Sequence, residues 1–287
     1  MTATPSSAGG PESLADRLAA LARTARVEHT PCGAGQVTWR RWGAGRPLVL
    51  LHGGGGGWQH WVRNIGPLAR EREVWCPDLP AFGDSADPPA PGDVEAIAAA
   101  LARGLDHLLP GPAGFDLAGF SFGGAVGTTV AWQRPGRVRR LVLVGVTSIG
   151  LPFHDLPLQP WRREPDPLRR REIHAANLRV LMVASDAPDP EAIELHMHNV
   201  ERARFNGRAT ARSTLIRDRL GALEVERVDA IYGERDATAR PGVAAARAAL
   251  QALRPGLRIV SLPGAGHWVQ YEAAAPFDDA LRAFLAD

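Results

Sequence analysis

Short apolar runs alternate with helical patterns along most of this chain, and this alternation restricts the possible folds more than any other feature. Most of the runs end at a turn, and several are followed by a segment whose apolar residues recur at helical spacing. Such a rhythm indicates a parallel sheet. We interpret residues 36–42 as an edge strand because they alternate, and the further predicted strands are residues 47–51, 73–76, 115–120, 141–146, 228–232 and 257–262. The predicted fold class is therefore α/β, with a mostly parallel sheet flanked by helices.

The alternation stops between residues 148 and 223, where proline, arginine and helical patterning dominate. We predict that residues 148–223 form an inserted helical lid. The core would then consist of residues 26–147 and 224–287, preceded by a polar tail and an amphipathic helix over residues 1–25. A length of 287 residues is sufficient for one large core with such an insertion.

The charge balance argues against a nucleic-acid or membrane partner. The net charge is +2, from 33 basic and 31 acidic residues, which creates no strong attraction for polyanions. A basic cluster lies in the predicted lid, and a solvated helix face is its favoured interpretation. Its members are Arg162, Arg163, Arg169, Arg170 and Arg171. We expect a small-molecule substrate and make no prediction of oligomeric state.

Cysteine usage and the N-terminal region indicate the compartment. Cys32 and Cys76 are too few for a disulfide framework and suit a reducing environment. Residues 1–11 are rich in Ser, Gly and Pro, and the stretch after them carries Glu12 and Asp16 instead of a continuous apolar run, so we expect neither a signal peptide nor a membrane span. The sequence therefore predicts a cytoplasmic protein.

A Gly-x-Ser-x-Gly motif, residues 119–123, supplies a candidate nucleophile. The motif is weak alone, but here Ser121 follows an apolar run and precedes a helical pattern. That is the tight strand-to-helix turn in which the motif exposes a serine hydroxyl. We predict Ser121 as a catalytic nucleophile, with a purely structural turn as the alternative.

A serine needs a base, usually a histidine that a carboxylate orients. Asp236 follows the strand at 228–232, and His267 follows the strand at 257–262, which completes the chain order Ser, Asp, His. We predict Asp236 as the acid and His267 as the base. Glu234 is the competing candidate for the acid.

An oxyanion hole is predicted from the glycine run at residues 53–57, which follows a strand and His52. We predict that the backbone N–H groups of Gly54 and Phe122 are the donors. Phosphate binding is disfavoured, because no Lys-Ser or Lys-Thr pair follows the glycines. We predict no cofactor.

Two further patterns are interpreted as structural. His196 and His198 form an H-x-H pair, but on a helix these positions point apart, so we predict no metal site. The sequence Gly83-Asp84-Ser85 is superficially typical of another class of serine hydrolase, yet it follows a proline-rich turn.

Three blocks of sequence accompany these motifs: His52-Gly53-Gly54-Gly55 with Trp58, residues 63–67 (Arg-Asn-Ile-Gly-Pro), and residues 266–270 (Gly-His-Trp-Val-Gln). The motifs together resemble the α/β-hydrolase superfamily. Within it, these blocks resemble the meta-cleavage product hydrolases, which hydrolyse carbon–carbon bonds in vinylogous diketones. The resemblance covers the chain from about residue 26 onward. It implies a serine hydrolase of that superfamily.

The resemblance also identifies departures around the predicted pocket. Phe120 stands where the family usually has asparagine before the nucleophile, and His60 replaces a second asparagine. No counterpart of the family's lid arginine aligns clearly among Arg202, Arg204 and Arg208. Phe120 and the lid aromatics Phe153, Trp161 and Phe205 indicate a more apolar pocket. The predicted substrate-binding residues are Gly53, His60, Phe120, Trp161 and Trp268.

The function predicted from these observations is hydrolysis of a small or medium, fairly apolar ester through an acyl-serine intermediate. Carbon–carbon bond hydrolysis is the first alternative, and lactone opening or cyanohydrin cleavage would also suit the scaffold. An alternative from another class is a ligand-binding protein that has lost catalysis.

Overall fold

The computed structural model describes residues 14–90 and 92–286, which form one eight-stranded sheet with helices on both faces. The predicted segments before residue 14 lie outside the described residues. The strands are β1 (Arg26–Cys32), β2 (Gly35–Trp42), β3 (Pro47–Leu51), β4 (Glu73–Pro77), β5 (Phe115–Phe120), β6 (Val138–Val144), β7 (Arg227–Gly233) and β8 (Arg258–Leu262).

The sheet order is β1-β2-β4-β3-β5-β6-β7-β8. All neighbours from β4 to β8 pair in parallel, while β2 runs antiparallel to both β1 and β4. The predicted α/β class with a mostly parallel sheet is thus confirmed. Because these parallel strands share one direction, the loops that follow them emerge at the same edge of the sheet.

Residues 36–42 do not form an edge strand, so this prediction was wrong. β2 is paired on both sides, and the edge position belongs to β1, which sequence patterning missed. Residues 37–39 of β2 are all buried, and the partly exposed Arg40 and Arg41 are adjacent and so point to opposite faces of the sheet. The mixture of polar and apolar residues in β2 therefore does not indicate a missing neighbour.

Both faces of the central strands are buried, which explains their continuous apolar runs. In β3, Val49 and Leu51 belong to one core cluster, whereas Leu48 and Leu50 belong to the other. Two sets of helices cover these faces. The first comprises α3 (Val94–Leu108), α4 (Phe122–Gln133), α8 (Leu215–Leu220) and α9 (Val243–Leu253). The second includes α1 (Leu14–Thr24), α2 (Ile65–Leu68), α10 (Val269–Glu272) and α11 (Ala274–Leu285).

The segment between β6 and β7 contains only helices among its regular elements, and we call residues 145–226 the helical insertion. Besides α8 it contains α5 (Pro167–Leu181), α6 (Pro190–Glu201) and α7 (Arg208–Ala211). α5 and α6 each begin at an aspartate whose side chain accepts a backbone N–H, with proline in the first helical turn, which is a strong helix start.

The insertion is fixed to the core at the end of α5. The backbone N–H of Trp268 donates to the carbonyl of Met182 at 2.6 Å, and the N–H of Ala184 donates to Glu272 at 2.9 Å. The C-terminal end of α5 is thereby held against the loop that follows β8. Within residues 14–90 and 92–286, no helix is both long enough and apolar enough to cross a bilayer.

Candidate active site

Ser121 occupies a strained turn between β5 and α4. Its backbone has φ 51° and ψ −114°, outside the usual region for a residue with a side chain. Two backbone hydrogen bonds fix the turn, from Ser121 N–H to Val144 O at 2.7 Å and from Gly124 N–H to Ser121 O at 2.9 Å. Ser121 is partly exposed, whereas Phe120 and Phe122 on either side are buried. The turn therefore presents the hydroxyl and hides its neighbours.

The glycines of the motif are required by close backbone contacts. A Cβ on Gly119 would overlap the carbonyl oxygen of Gly123, and a Cβ on Gly123 would lie 2.5 Å from the carbonyl oxygens of Leu51 and His52. Strand β5, helix α4 and the end of β3 approach one another too closely for side chains here. The spacing of the two glycines around Ser121 is thus explained by packing.

The structure brings Asp236 and His267 into direct contact. Nδ1 of His267 lies 3.0 Å from both carboxylate oxygens of Asp236. Asp236 follows β7 and His267 follows β8, and these adjacent parallel strands place both loops at the sheet edge where Ser121 follows β5. Both residues are buried, so the pair is shielded from water. Because Nδ1 faces the carboxylate, Nε2 is the ring nitrogen left to meet a reacting group.

Glu234, the competing candidate for the acid, points elsewhere. Its carboxylate accepts the backbone N–H of Gly264 at 3.1 Å, and the residue is exposed. Ser85 of the Gly-Asp-Ser sequence is also occupied: its hydroxyl donates to Asp78 O at 2.6 Å and accepts the N–H of Thr38 at 2.9 Å. Neither side chain joins the Asp236–His267 pair.

Sequence reasoning missed Thr238, which completes the shell around Asp236. Its hydroxyl and its backbone N–H each donate to Oδ1 of Asp236 at 2.8 Å, and the hydroxyl lies 3.2 Å from Nδ1 of His267. The signal available in the sequence was a hydroxyl residue two positions after the acid, where its backbone and side chain can both turn back.

Gly145, at the end of β6, was missed as well. Its φ is +55°, and a Cβ there would lie 3.1 Å from both Oδ2 of Asp236 and Nδ1 of His267. The backbone of Gly145 therefore packs directly against the carboxylate–imidazole pair, and only glycine combines this φ with this proximity.

The two predicted oxyanion donors lie side by side. A Cβ on Gly54 would be 3.7 Å from Cβ of Phe122, and Gly53 is close enough to Ser121 that its Cβ would lie 3.4 Å from that of the serine. Phe122 is the first residue of α4, where backbone N–H groups have no intrahelical acceptor. Among the described residues, the Gly54 amide also has no hydrogen-bond acceptor.

His52 and His60 hold the glycine loop as neutral imidazoles. His52 accepts the N–H of Leu79 at Nε2 (2.9 Å) and faces Gly53 O through Nδ1 (2.8 Å), which defines its tautomer. His60 accepts the N–H of Gly53 at Nδ1, 3.2 Å away. Burial lowers the pKa of His52, and it lowers that of His60 well below the usual range, assisted by neighbouring histidines.

Aromatic rings surround the reactive pair. The ring of Phe120 lies 4.9 Å from that of His267 and 5.3 Å from that of His60, between centroids. Trp268 is fully buried, and its Nε1 donates to His60 O at 3.0 Å. Phe122 contacts Phe205 of the helical insertion at 5.0 Å. The walls near Ser121 are therefore predominantly apolar.

The predicted substrate-binding residues divide into two groups. Gly53, His60, Phe120 and Trp268 lie together in the core beside His267. Trp161 lies in the helical insertion and packs against His174 at 4.8 Å between ring centroids. Their roles toward a substrate stay predictions.

The arginines considered for a carboxylate grip are largely engaged with acids. Arg202 bonds to Asp84, and Arg204 bonds to Asp87 at 2.7 Å. In the predicted solvated face, Arg169 pairs with Glu172 and Arg171 pairs with Glu194. These ion pairs are exposed and form the outer surface of the insertion.

The fold, the strained serine turn and the buried carboxylate–imidazole pair together define a class of hydrolase. Residues 48–280 match the alpha/beta hydrolase family. The chain belongs to this family.

Two curated relatives and one solved structure illustrate the range of similar proteins. The chain is 32% identical over 250 residues to the dihydrolipoyllysine-residue acetyltransferase component of the acetoin cleaving system of Pseudomonas putida, an alignment covering 84% of this chain but only 64% of that protein. It is 30% identical over 260 residues to 2-hydroxymuconate semialdehyde hydrolase of Pseudomonas sp. (strain CF600), covering 85% of this chain and 88% of the relative. A putative aryl esterase from Burkholderia cenocepacia superposes with a TM-score of 0.72 at 21% identity, covering 91% of this chain and 100% of that chain, which shows the fold.

Proposed function

We propose that this protein hydrolyses a small or medium, apolar ester through a covalent acyl-Ser121 intermediate. The observation that carries the proposal is the buried contact, 3.0 Å long, between Nδ1 of His267 and the carboxylate of Asp236, at the same sheet edge as Ser121. Such a pair turns a histidine into a base for a serine hydroxyl. The substrate enters beside the helical insertion, which acts as a lid.

In the first half-reaction, Oγ of Ser121 attacks the carbonyl carbon of the ester while its proton passes to Nε2 of His267. Asp236 holds the imidazole orientation and stabilises the positive charge that forms on the ring. The N–H groups of Gly54 and Phe122 bind the developing oxyanion. When the tetrahedral intermediate collapses, the carbon–oxygen bond to the alcohol breaks, and His267 gives its proton to the leaving oxygen.

The second half-reaction repeats these steps with water. His267 removes a proton from a water molecule, whose oxygen attacks the acyl carbon. The bond to Ser121 then breaks, and His267 returns the proton to Oγ. The products are a carboxylic acid and an alcohol, and the enzyme is regenerated without a cofactor.

An ester is favoured over an acidic dienol because of the surroundings of Ser121. Phe120, Phe122 and Phe205 contribute apolar surface, and His60 is neutral because burial keeps its pKa low. A carboxylate brought against such walls would lose its hydration without gaining a cation. Arg202 and Arg204 are paired with aspartates, which also favours an uncharged ester over an acidic substrate.

Carbon–carbon bond hydrolysis is the second candidate, and the relative named 2-hydroxymuconate semialdehyde hydrolase favours it. The same triad would serve both reactions. A panel of p-nitrophenyl esters tested against vinylogous diketone acids separates them, because we expect higher kcat/KM for the esters. A preference for the diketones would reverse the ranking.

Whether the protein is a catalyst or a binding protein is tested by covalent labelling. A fluorophosphonate probe is expected to label the parent protein and not Ser121→Ala. Ser85→Ala is the matched control, because Ser85 is hydrogen-bonded into the core, and it should label like the parent. Absence of labelling in a folded parent protein would favour the non-catalytic role.

A further inference from the structure

A buried histidine of the helical insertion has no hydrogen-bond partner in the part of the chain that the structure describes. His174 on α5 has 0% of its surface exposed, and neither Nδ1 nor Nε2 meets a polar atom among the described residues. A neutral imidazole has one N–H donor and one lone-pair acceptor. Leaving buried polar atoms unpaired destabilises a folded protein, so such atoms call for an explanation.

The neighbours of His174 are aromatic rings that form no hydrogen bond with its nitrogens. Trp161 lies 4.8 Å away and His196 of α6 lies 5.4 Å away, edge-on at 72°, between ring centroids. The two imidazoles belong to facing helices but form no hydrogen bond with each other. The donor and the acceptor of His174 are therefore available to a third group that enters between the helices.

This pair of histidines lies on the side of the insertion that faces the candidate active site. The ring of His60 lies 5.3 Å from that of Phe120 between centroids, and α6 packs against the glycine loop that His60 holds. A Cβ on Gly55 of this loop would lie 3.2 Å from Cγ1 of Val200, which follows His196 by one helical turn. Leu178, one turn after His174 on α5, packs in the same core cluster as Phe120, and so does Leu195, the residue before His196 on α6. The part of the insertion that holds His174 therefore packs against the core residues beside Ser121.

The two imidazoles are neutral, which favours an uncharged ligand group over a charged one. Burial lowers the pKa of His174, and it lowers the pKa of His196 to about 3, so both rings are neutral at pH 7. Arg170, whose charge lowers the pKa of His174, is already paired with Glu201 at 3.7 Å. A desolvated carboxylate would lack a compensating cation, whereas a hydroxyl or carbonyl needs only hydrogen bonds.

We propose that His174, with His196 and Trp161 beside it, forms a polar subsite that hydrogen-bonds a hydroxyl or carbonyl oxygen remote from the scissile ester. The inference rests on the proposed function, because it assigns the distal part of the same substrate. The preferred substrates are then esters whose acyl chain is mainly apolar but carries one neutral oxygen group.

The test compares paired substrates in the full-length protein. The pairs are p-nitrophenyl esters of acyl chains of increasing length that end either in a hydroxyl or in a methyl group. We expect the hydroxyl-to-methyl ratio of kcat/KM to peak at one chain length. His174→Phe keeps a ring of similar size and should lower this ratio about three- to tenfold, the value of one hydrogen bond. His174→Gln retains a donor and an acceptor and should lose less.

His198→Phe is the matched control, because His198 lies on the same helix as His196 but is exposed. It should leave the ratio unchanged. An unchanged ratio in a folded His174→Phe protein, with ester turnover intact, would overturn the subsite alone. If the parent hydrolyses no ester, the proposed function fails. The subsite is then tested by calorimetry, which measures the affinity of the Ser121→Ala protein for the hydroxyl and the methyl member of each pair. Equal affinity for both members would then reject it.

The stability of His174→Phe gives an independent readout. Replacing two unpartnered buried nitrogens by carbon should raise the melting temperature, because their desolvation is no longer uncompensated. A fall in melting temperature would show that the imidazole is satisfied within the fold, and it would contradict the proposal.

Discussion

The hydroxyl of Thr238 donates to Oδ1 of Asp236 at 2.8 Å while lying 3.2 Å from Nδ1 of His267. One side chain thus touches both members of the carboxylate–imidazole pair. The backbone N–H of Thr238 also reaches Oδ1 at 2.8 Å, so the carboxylate is held by two donors from the same residue. This arrangement fixes the carboxylate plane before a substrate arrives.

We predict that Thr238→Val lowers kcat about tenfold, since the lost hydroxyl frees the carboxylate to rotate while the backbone donor remains. KM should change less than kcat, because Thr238 orients the base and does not contact the substrate. Steady-state kinetics on one ester checks this. Thr238→Ser restores the hydroxyl and should recover most of the loss; equal defects in both variants would contradict an orienting role.

Asp236 and Glu234 provide a matched pair of carboxylates. Asp236→Asn should lower kcat roughly 10³- to 10⁴-fold, because an amide can no longer stabilise the imidazolium and favours the wrong tautomer. Glu234→Gln should stay close to the parent, since the exposed Glu234 side chain bonds to the N–H of Gly264. Comparable losses in both variants would show that the acid has been assigned wrongly. The measurement is kcat/KM for both variants on the same ester.

Gly145 and Gly136 separate backbone strain from contact with the site. Both have positive φ, +55° and +73°, but a Cβ on Gly136 would meet nothing within 4 Å. Each Gly→Ala change should cost about 1–2 kcal/mol of unfolding free energy from strain. Only Gly145→Ala should also reduce kcat, because its methyl group displaces Asp236 and His267. Urea unfolding and kinetics on both variants test this; equal activity would remove Gly145 from the site.

Asp278 makes stability depend on pH. It is buried and accepts a hydrogen bond from Asn64 at 2.8 Å, and burial raises its pKa from 3.8 to about 6. The folded protein therefore binds more protons than the unfolded chain between these values, so stability falls as pH rises from about 4 to 6 and is then level. The pKa shift of Asp278 corresponds to a change in unfolding free energy of at most about 3 kcal/mol.

Asp278→Asn should flatten this slope and raise stability at pH 7, because the side chain no longer has to ionise in a buried position. An amide nitrogen at this position would also offer a donor to Oδ1 of Asn64, which has no partner among the described residues. Urea unfolding at several pH values between 4 and 7.5 measures the slope. An Asp186→Asn variant is the control and should retain the parent slope, because Asp186 is exposed and is not among the charges that shift the pKa of Asp278.

Much of the site was predictable because it depends on local rules. The turn at Ser121 follows from glycines flanking a serine between an apolar run and a helix. Parallel strands deliver their following loops to one edge, so placing Asp236 and His267 after β7 and β8 predicted their proximity. Their catalytic roles, the oxyanion hole and the bounds of the lid stay predictions.

Other features had no local signal. The choice of Asp236 over Glu234 depends on how the loop after β7 folds, because both carboxylates lie within three residues of each other. β2 alternates like an edge strand, but its position inside the sheet depends on pairing with β1 and β4.

The sequence by itself determined most strands of the sheet, β1 excepted, and the core helices that follow them, since period and turn residues act over a few positions. It also determined which loops leave the active edge of the sheet. Tertiary structure alone decided that Thr238 and Gly145 enclose the acid and that His174 is buried with no hydrogen-bond partner within residues 14–90 and 92–286. These features depend on contacts between residues distant in the chain, where packing geometry and not local propensity sets the outcome.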